Sequence, residues 1–263
     1  MLIIAYSAAA GIFGTGIGGL LTAFLLKKPT EKVISCILMF AAGVMTSIVC
    51  FGLVPESINL AGVVYSVAGL IIGVLVIMLL NRAVDRITTA KNGDMAVHQT
   101  HEELYHESNI IKEADDRSRL LHSGIVMLVA IGLHNIPEGL AIGAGGSLNI
   151  RLGIVLAVMI ALHNIPEGMA IAAPLSAAGI GRWKVIGITS LSGAPTLIGG
   201  IIGVFVGGVS EFALAMSLSA AGGAMLYVVF GEIIPQSIVM TKSRLPSIVA
   251  LFGVLLGLLL TQF

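Results

Sequence analysis

Leu133-His134-Asn135-Ile136-Pro137-Glu138-Gly139 recurs, residue for residue, as Leu162-His163-Asn164-Ile165-Pro166-Glu167-Gly168. Each copy falls near the centre of a long apolar stretch, at about 122–145 and 151–173. Seven consecutive identities holding three polar side chains are not noise from an apolar alphabet. His134 and Glu138 are four residues apart, as are His163 and Glu167, so each pair shares one face of a helix, with Asn135 and Asn164 on its flank. Each proline removes a backbone donor and leaves a carbonyl free four residues back, at Leu133 or Leu162, beside the histidine. At the centre of a bilayer an unpaired charge costs at least about 2.5–3.5 kcal/mol on insertion scales. The fold turns on whether a bilayer surrounds these stretches.

Composition says that it does. The chain has 263 residues, 57% hydrophobic and only 11% charged, against roughly 25% charged in a soluble domain; its mean hydropathy is +1.03. Eight stretches are long and apolar enough to cross a bilayer as helices: about 2–26, 33–54, 61–81, 122–145, 151–173, 184–207, 211–234 and 246–262. They are too long and too unbroken for barrel strands. The expectation is an all-α integral membrane protein, one transmembrane domain over 1–263, with a polar loop at about 82–121. A net charge of zero gives no footprint for nucleic acid. Cys36 and Cys50 share one stretch and would lie about 21 Å apart along a helix, too far to bridge, so both read as core residues.

Positive charge orients the bundle. Lys27, Lys28 and Lys32 follow the first stretch; Arg82, Arg86, Lys91, Lys112, Arg117 and Arg119 follow the third; Arg182 and Lys184 follow the fifth; Lys242 and Arg244 follow the seventh. Only Arg151 lies on the other side. The positive-inside rule then puts 82–121 in the cytoplasm and both termini outside, in a plasma or inner membrane. The first stretch has no basic residue before it and two lysines after it, so it reads as a retained span.

A shift of 180 residues lays the start of the chain on its end. Ala41, Gly43, Met45, Pro55, Ser57 and Ile58 meet Ala221, Gly223, Met225, Pro235, Ser237 and Ile238, and Gly73-Val74-Leu75 meets Gly253-Val254-Leu255. Gly18-Gly19 meets Gly199-Gly200 at a shift of 181. Spans one to three thus echo spans six to eight around the pair formed by four and five. An odd shift of five spans inverts the copies across the membrane, the arrangement of secondary transporters whose site lies at the midplane between repeats.

Two carboxylates on neighbouring helices repel each other, and a divalent cation cancels that repulsion. Imidazole nitrogen and amide oxygen complete its shell, a set that suits zinc and leaves room for manganese or iron, while the lack of thiolate disfavours a closed structural zinc site. The alternative is a histidine and a glutamate bonding each other across the helix pair. Gly14-x-x-x-Gly18 and Gly199-x-x-x-Gly203-x-x-x-Gly207 read as close-packing faces, not as a nucleotide loop, and there is no G-x-x-x-x-G-K-[ST] for ATP.

The doubled HNIPEG motif, eight spans and a polar loop before the fourth resemble the ZIP (Zrt-, Irt-like protein) family of divalent-metal transporters, most of all its bacterial GufA-like branch. That resemblance implies uptake of Zn²⁺, with Fe²⁺, Mn²⁺ or Cd²⁺ as further cargo, no prosthetic group, and a homodimer. It implies His134, Asn135, Glu138, His163, Asn164 and Glu167 as metal ligands, the glutamates bridging two metal positions, with Met45 adding to the first. One departure stands out: where the family often has a glutamate before the sixth-span proline, this chain has Ser192-Gly193-Ala194-Pro195. Ala194 withholds a carboxylate, which weakens the second position or changes the cations it takes. The alternatives to a carrier are a metal-selective channel and a membrane-embedded metal-dependent hydrolase with Glu138 or Glu167 as base.

Four further features carry polar chemistry. Glu56, after Pro55, and Glu232, before Pro235, stand at opposite mouths by the repeat and are candidate way-stations, against a plain reading as membrane-edge carboxylates. His98, His101 and His106 lie among Asp94, Glu102, Glu103 and Glu107 in a segment best read as a solvated loop. His101-Glu102-Glu103-Leu104-Tyr105-His106 is not a zinc-protease motif, because Tyr105 stands where the second histidine belongs. His122 reads as an interfacial residue.

Overall fold

A computed structural model describes residues 1–25, 30–92, 116–207 and 210–261. The described residues form helices and no strand: α1 Leu2–Leu25, α2 Glu31–Ile48, α3 Val54–Ala61, α4 Val63–Asn92, α5 Asp116–Leu148, α6 Ile150–Ala177, α7 Arg182–Ser192, α8 Pro195–Gly207, α9 Glu211–Val228, α10 Ile234–Met240 and α11 Leu245–Leu260. Seven helical units are long and apolar enough to cross a membrane, and Leu245–Leu259 is a shorter apolar eighth. The eight expected spans are therefore present. Their outer surfaces expose Phe13, Ile71, Leu79, Phe205, Leu251, Phe252 and Leu255, which a lipid environment accommodates.

Several boundaries differ from the sequence expectation: α4 runs on to Asn92 and α5 starts at Asp116, so helix enters both ends of the stretch read as a polar loop at 82–121. The second span does not end near Pro55, nor the seventh near Pro235. In each, a π-turn (Val49–Leu53 and Val229–Ile233) precedes the proline, and the chain then runs on as α3 to Ala61 or α10 to Met240. Proline lacks an N–H and its ring collides with the carbonyl one turn back. Widening the ladder upstream, with Val54 N donating to Val49 O and Ile234 N to Val229 O, lets the helix absorb that defect. The sixth span breaks in two at Gly193-Ala194, between α7 and α8. Short bonds from Ala194 N to Leu191 O and from Thr196 N to Gly193 O carry the chain across the break.

The repeat is written into the packing. Span two packs on span eight and span three on span seven; span one packs on span five and span four on span six. The two-fold exchange turns one couple into another: two–eight becomes seven–three, and one–five becomes six–four. Ser57 Oγ donates to Ala215 O (2.8 Å), and its mirror partner Ser237 Oγ donates to Ser35 O (3.1 Å). Gly43 lies against the Ala250 carbonyl as Gly223 lies against that of Leu70, and Gly73 against Ala220 as Gly253 against Phe40. Even the caps correspond: Thr30 accepts from Val33 N and Ser210 from Ala213 N, each followed by a glutamate that favours a helix N-terminus. Serine hydroxyls satisfied by partner-helix carbonyls and glycines that admit a backbone at contact distance supply the adhesion that water would supply elsewhere.

Spans one, four, five and six form the half of the molecule that holds the doubled motif. Gly18 lies against Ile165 O and Gly168 against Thr15 O; Gly199 lies against Ile136 O and Gly139 against Thr196 O. These are the same contacts on the two sides of the bundle, and they bring α1 and α8 onto the outer flanks of α6 and α5. The two cysteines do not follow the expectation: Cys36 is half-buried and Cys50, in the first π-turn, is exposed. The π-turn rotates the downstream helix off its ideal 3.6-residue periodicity, and Cys50 faces outward.

Candidate metal centre

α5 and α6 are antiparallel neighbours joined at Asn149, which caps α6 by accepting from Arg151 N (2.9 Å). Both helices run through their prolines, Pro137 and Pro166, without ending. Glu138 lies midway along the membrane-length part of α5, Met127–Ser147, and His163 midway along α6. The motif therefore sits at half the height of the bundle on both helices.

There Glu138, His163 and Glu167 converge, offering ligand atoms within 4.8 Å of one another. All three side chains are buried, the glutamates at 0% exposure and the histidine at 1%. His163 Nε2 lies 2.6 Å from Glu138 Oε1 and 4.0 Å from Glu167 Oε1. Its Nδ1 faces Met159 O at 3.2 Å, an atom that only accepts, so Nδ1 carries the hydrogen. Nε2 then turns its lone pair to Glu138 Oε1, and two acceptor atoms this close need a proton or a cation to hold them together. Asn164, also buried, closes the group. Its amide nitrogen donates to Glu138 Oε2 and Glu167 Oε2, 3.1 Å each, an orientation assigned from chemistry because an oxygen there would face only acceptors.

Asn135, the counterpart of Asn164 in the first motif, is anchored on span six: Nδ2 donates to Ser192 O at its break (2.7 Å), while Oδ1 is buried and accepts no bond from a described residue. A buried acceptor without a donor costs about 1–3 kcal/mol, and a cation or a protonated group relieves that cost.

A histidine–glutamate bond by itself would also fit a purely structural pair. The second carboxylate at 4.0 Å and the amide bridging both glutamates go beyond such a pair. Around zinc, at roughly 2.0–2.2 Å from each oxygen or nitrogen, ligand atoms stand within about 4 Å of one another. The group found here is slightly wider, within the reach of carboxylate rotation.

The remaining candidates fall elsewhere. His134 is on α5 one turn from Glu138, but its side chain lies outside the described residues, as does that of His122. His98, His101 and His106 with their acidic neighbours are outside them entirely. Met45 is buried in an apolar cluster with Met127, Ile131, Ala170 and Val229, on the side of span two that faces spans four and five. Glu56 is half-buried in α3 and Glu232 half-buried in the second π-turn, and neither joins the cluster around His163. The sequence reading missed the contribution of span six. Its signal was Ser192-Gly193-Ala194-Pro195, a turn sequence inside an apolar run.

Comparison with known proteins agrees over the whole length. A family model described as ZIP Zinc transporter matches residues 1–263. A zinc transporter ZupT of Chlorobaculum parvum is 34% identical over 235 residues, 85% of this chain and 83% of that protein. A ZupT of Streptococcus mutans is 31% identical over 97% of this chain and 92% of its own. A zinc transporter ZIP11 of Xenopus tropicalis is 41% identical over 49% of this chain and 40% of its own length. A buried carboxylate–imidazole–amide group at mid-height, a two-fold helical frame and these matches lead to one assignment: the chain belongs to the ZIP family of zinc transporters.

Proposed function

We propose that the protein carries divalent cations, zinc first among them, across the cytoplasmic or inner membrane into the cytoplasm, through a mid-height site made by His134, Asn135, Glu138, His163, Asn164 and Glu167. The observation that carries this reading is the buried meeting of Glu138, His163 and Glu167 on the two copies of one motif. Two carboxylates match a 2+ charge, and imidazole with amide oxygen gives nitrogen and oxygen donors suited to zinc and, with less preference, iron, manganese or cadmium.

The cation's arrival has a definite local consequence. To bind His163 Nε2 and the glutamates it displaces the proton held on the 2.6 Å contact and the amide hydrogens that Asn164 gives to both carboxylates. Each step exchanges one set of satisfied bonds for another, so binding is reversible, as release on the far side requires. Met45, on the span facing the motif helices, supports a softer ligand near the first position; Glu56 and Glu232 are proposed way-stations on the approach and exit. The one-sided placement of lysine and arginine supports both termini outside and the 82–121 segment within.

Membership in a transporter family and the two-fold frame decide against a hydrolase, which needs one base and one open metal position. A homodimer is the expectation of the resemblance, and light scattering of the detergent-solubilised protein measures it. Uptake of zinc into proteoliposomes tests the main reading. Wild-type protein loads the vesicles with saturable kinetics, whereas Glu138→Ala and Glu167→Ala, folded by circular dichroism, do not. Uptake at the wild-type rate in both variants removes these residues from the pathway. Competition by iron, manganese and cadmium ranks the cargo.

A further inference from the structure

Between spans two, five and eight runs a groove of about 620 Å³, within the range of roughly 300–1,000 Å³ that holds a drug-sized ligand. Its walls are apolar (Val33, Ile37 and Phe40 from α2, Val249 and Leu256 from α11), and its floor is Leu162, Ile165, Pro166 and Met169 of α6. One ionic side chain lines it, Lys32, at the start of α2. Lys32 is exposed and makes no ion pair with a described residue.

The groove has a polar and an apolar end. Lys32 opens α2 and Leu245 opens α11, so both helix starts meet at the same mouth. Arg244, which precedes Leu245, and Lys242 are exposed beside it. The far end, toward Val44 and Leu256, carries no charge. A long apolar trough with cations gathered at one mouth has the shape and charge of a phospholipid. The mouth lies on the lysine- and arginine-rich side of the bundle, where the facing leaflet is anionic.

We propose that this groove is a binding site for an anionic glycerophospholipid, one acyl chain lying along Phe40, Ile165 and Val249 and the phosphate received by Lys32 and Arg244. A neutral lipid fills the trough equally well but gives the cations less to hold, so the head group sets the preference. The acyl chain rests on Leu162, Ile165 and Pro166, the back of the helix turn whose front carries His163 and Glu167. A bound lipid thus buttresses α6 where Pro166 leaves its ladder incomplete.

Lipid retention measures this without reference to zinc, so the result stands apart from the transport reading. The full-length protein, equilibrated in detergent with equal amounts of phosphatidylglycerol and phosphatidylcholine, is examined by native mass spectrometry. Wild type is expected to keep phosphatidylglycerol in preference. Lys32→Ala and Arg244→Ala each lower that preference about fivefold, the worth of one juxtamembrane charge. Lys184→Ala, at a basic site outside the groove, leaves it unchanged, and Val249→Trp, which fills the trough, reduces retention of both lipids. Equal retention of the two lipids by wild type overturns the proposal. So does an undiminished preference in Lys32→Ala together with Arg244→Ala, or a dimer that Val249→Trp converts to monomer with no lipid retained by either form.

Discussion

At the residue scale the centre is a problem of buried charge. Glu138 and Glu167 are wholly enclosed with an imidazole and an amide between them, and each arrangement of protons and cations there must balance. Replacing Glu138 by Gln keeps the shape and removes one negative charge, so zinc affinity measured by isothermal titration should fall at least about 100-fold, given that removing a buried charged partner costs about 3–5 kcal/mol. Affinity that is unchanged would mean Glu138 is not a ligand. Ala194 offers the converse experiment. It lies at the break in span six, two residues from the carbonyl that anchors Asn135, and it is only partly buried. Ala194→Glu restores the carboxylate that the family often carries there, and the purified variant should bind about one more zinc per chain by elemental analysis. The candidate ligands stood out in the sequence because polar groups inside an apolar run have few uses. Which of them meet was not legible: the 2.6 Å bond joins His163 to the glutamate of the other motif, while its own Glu167, at i+4, stands at 4.0 Å.

At the element scale the spans were readable and their defects were not. Hydropathy found every crossing, since 20 apolar residues have no other role in so few charges. Pro55 and Pro235 read as ends, yet each helix continues past them because a π-turn upstream takes up the missing bond. Whether a proline ends a helix or merely bends its ladder depends on tertiary support, here the Ser57–Ala215 and Ser237–Ser35 bonds two residues beyond. Glycine contacts set the helix separations. A Cβ at Gly199 would strike the Ile136 carbonyl, and one at Gly18 that of Ile165, both within three residues of a motif asparagine or glutamate. Gly199→Leu should therefore lower the thermal unfolding temperature in detergent, in line with the about 1–3 kcal/mol of overpacking, and should weaken zinc binding as α5 shifts. Gly187, which has nothing within 4 Å of an added Cβ, is the control: Gly187→Ala should leave both unchanged.

At the scale of the whole molecule, exchange symmetry and proton bookkeeping meet. The repeat exchanges the packed couple two–eight with seven–three and the couple one–five with six–four, so each half of the frame maps onto itself. In a carrier, such a frame has two equivalent shapes, one open to either side, with the central site common to both. What biases it is the charge at that site. In the proposed cycle a proton holds the His163–Glu138 contact while the cation is away and leaves when it arrives, because the two use the same lone pairs. Binding therefore releases at least one proton per cation, and ligands that must be deprotonated bind metal less well as pH falls. The sign is fixed: apparent zinc affinity should weaken by about tenfold for each unit of acidification while one proton is displaced. Zinc titrations in weakly buffered solution should show acidification on binding in the wild type and less of it in Glu138→Gln, whose amide cannot share that proton with His163. Binding that is equally strong at every pH from neutral to mildly acid, with no proton released, would place the cation away from the His163–Glu138 contact and leave that bond a structural one.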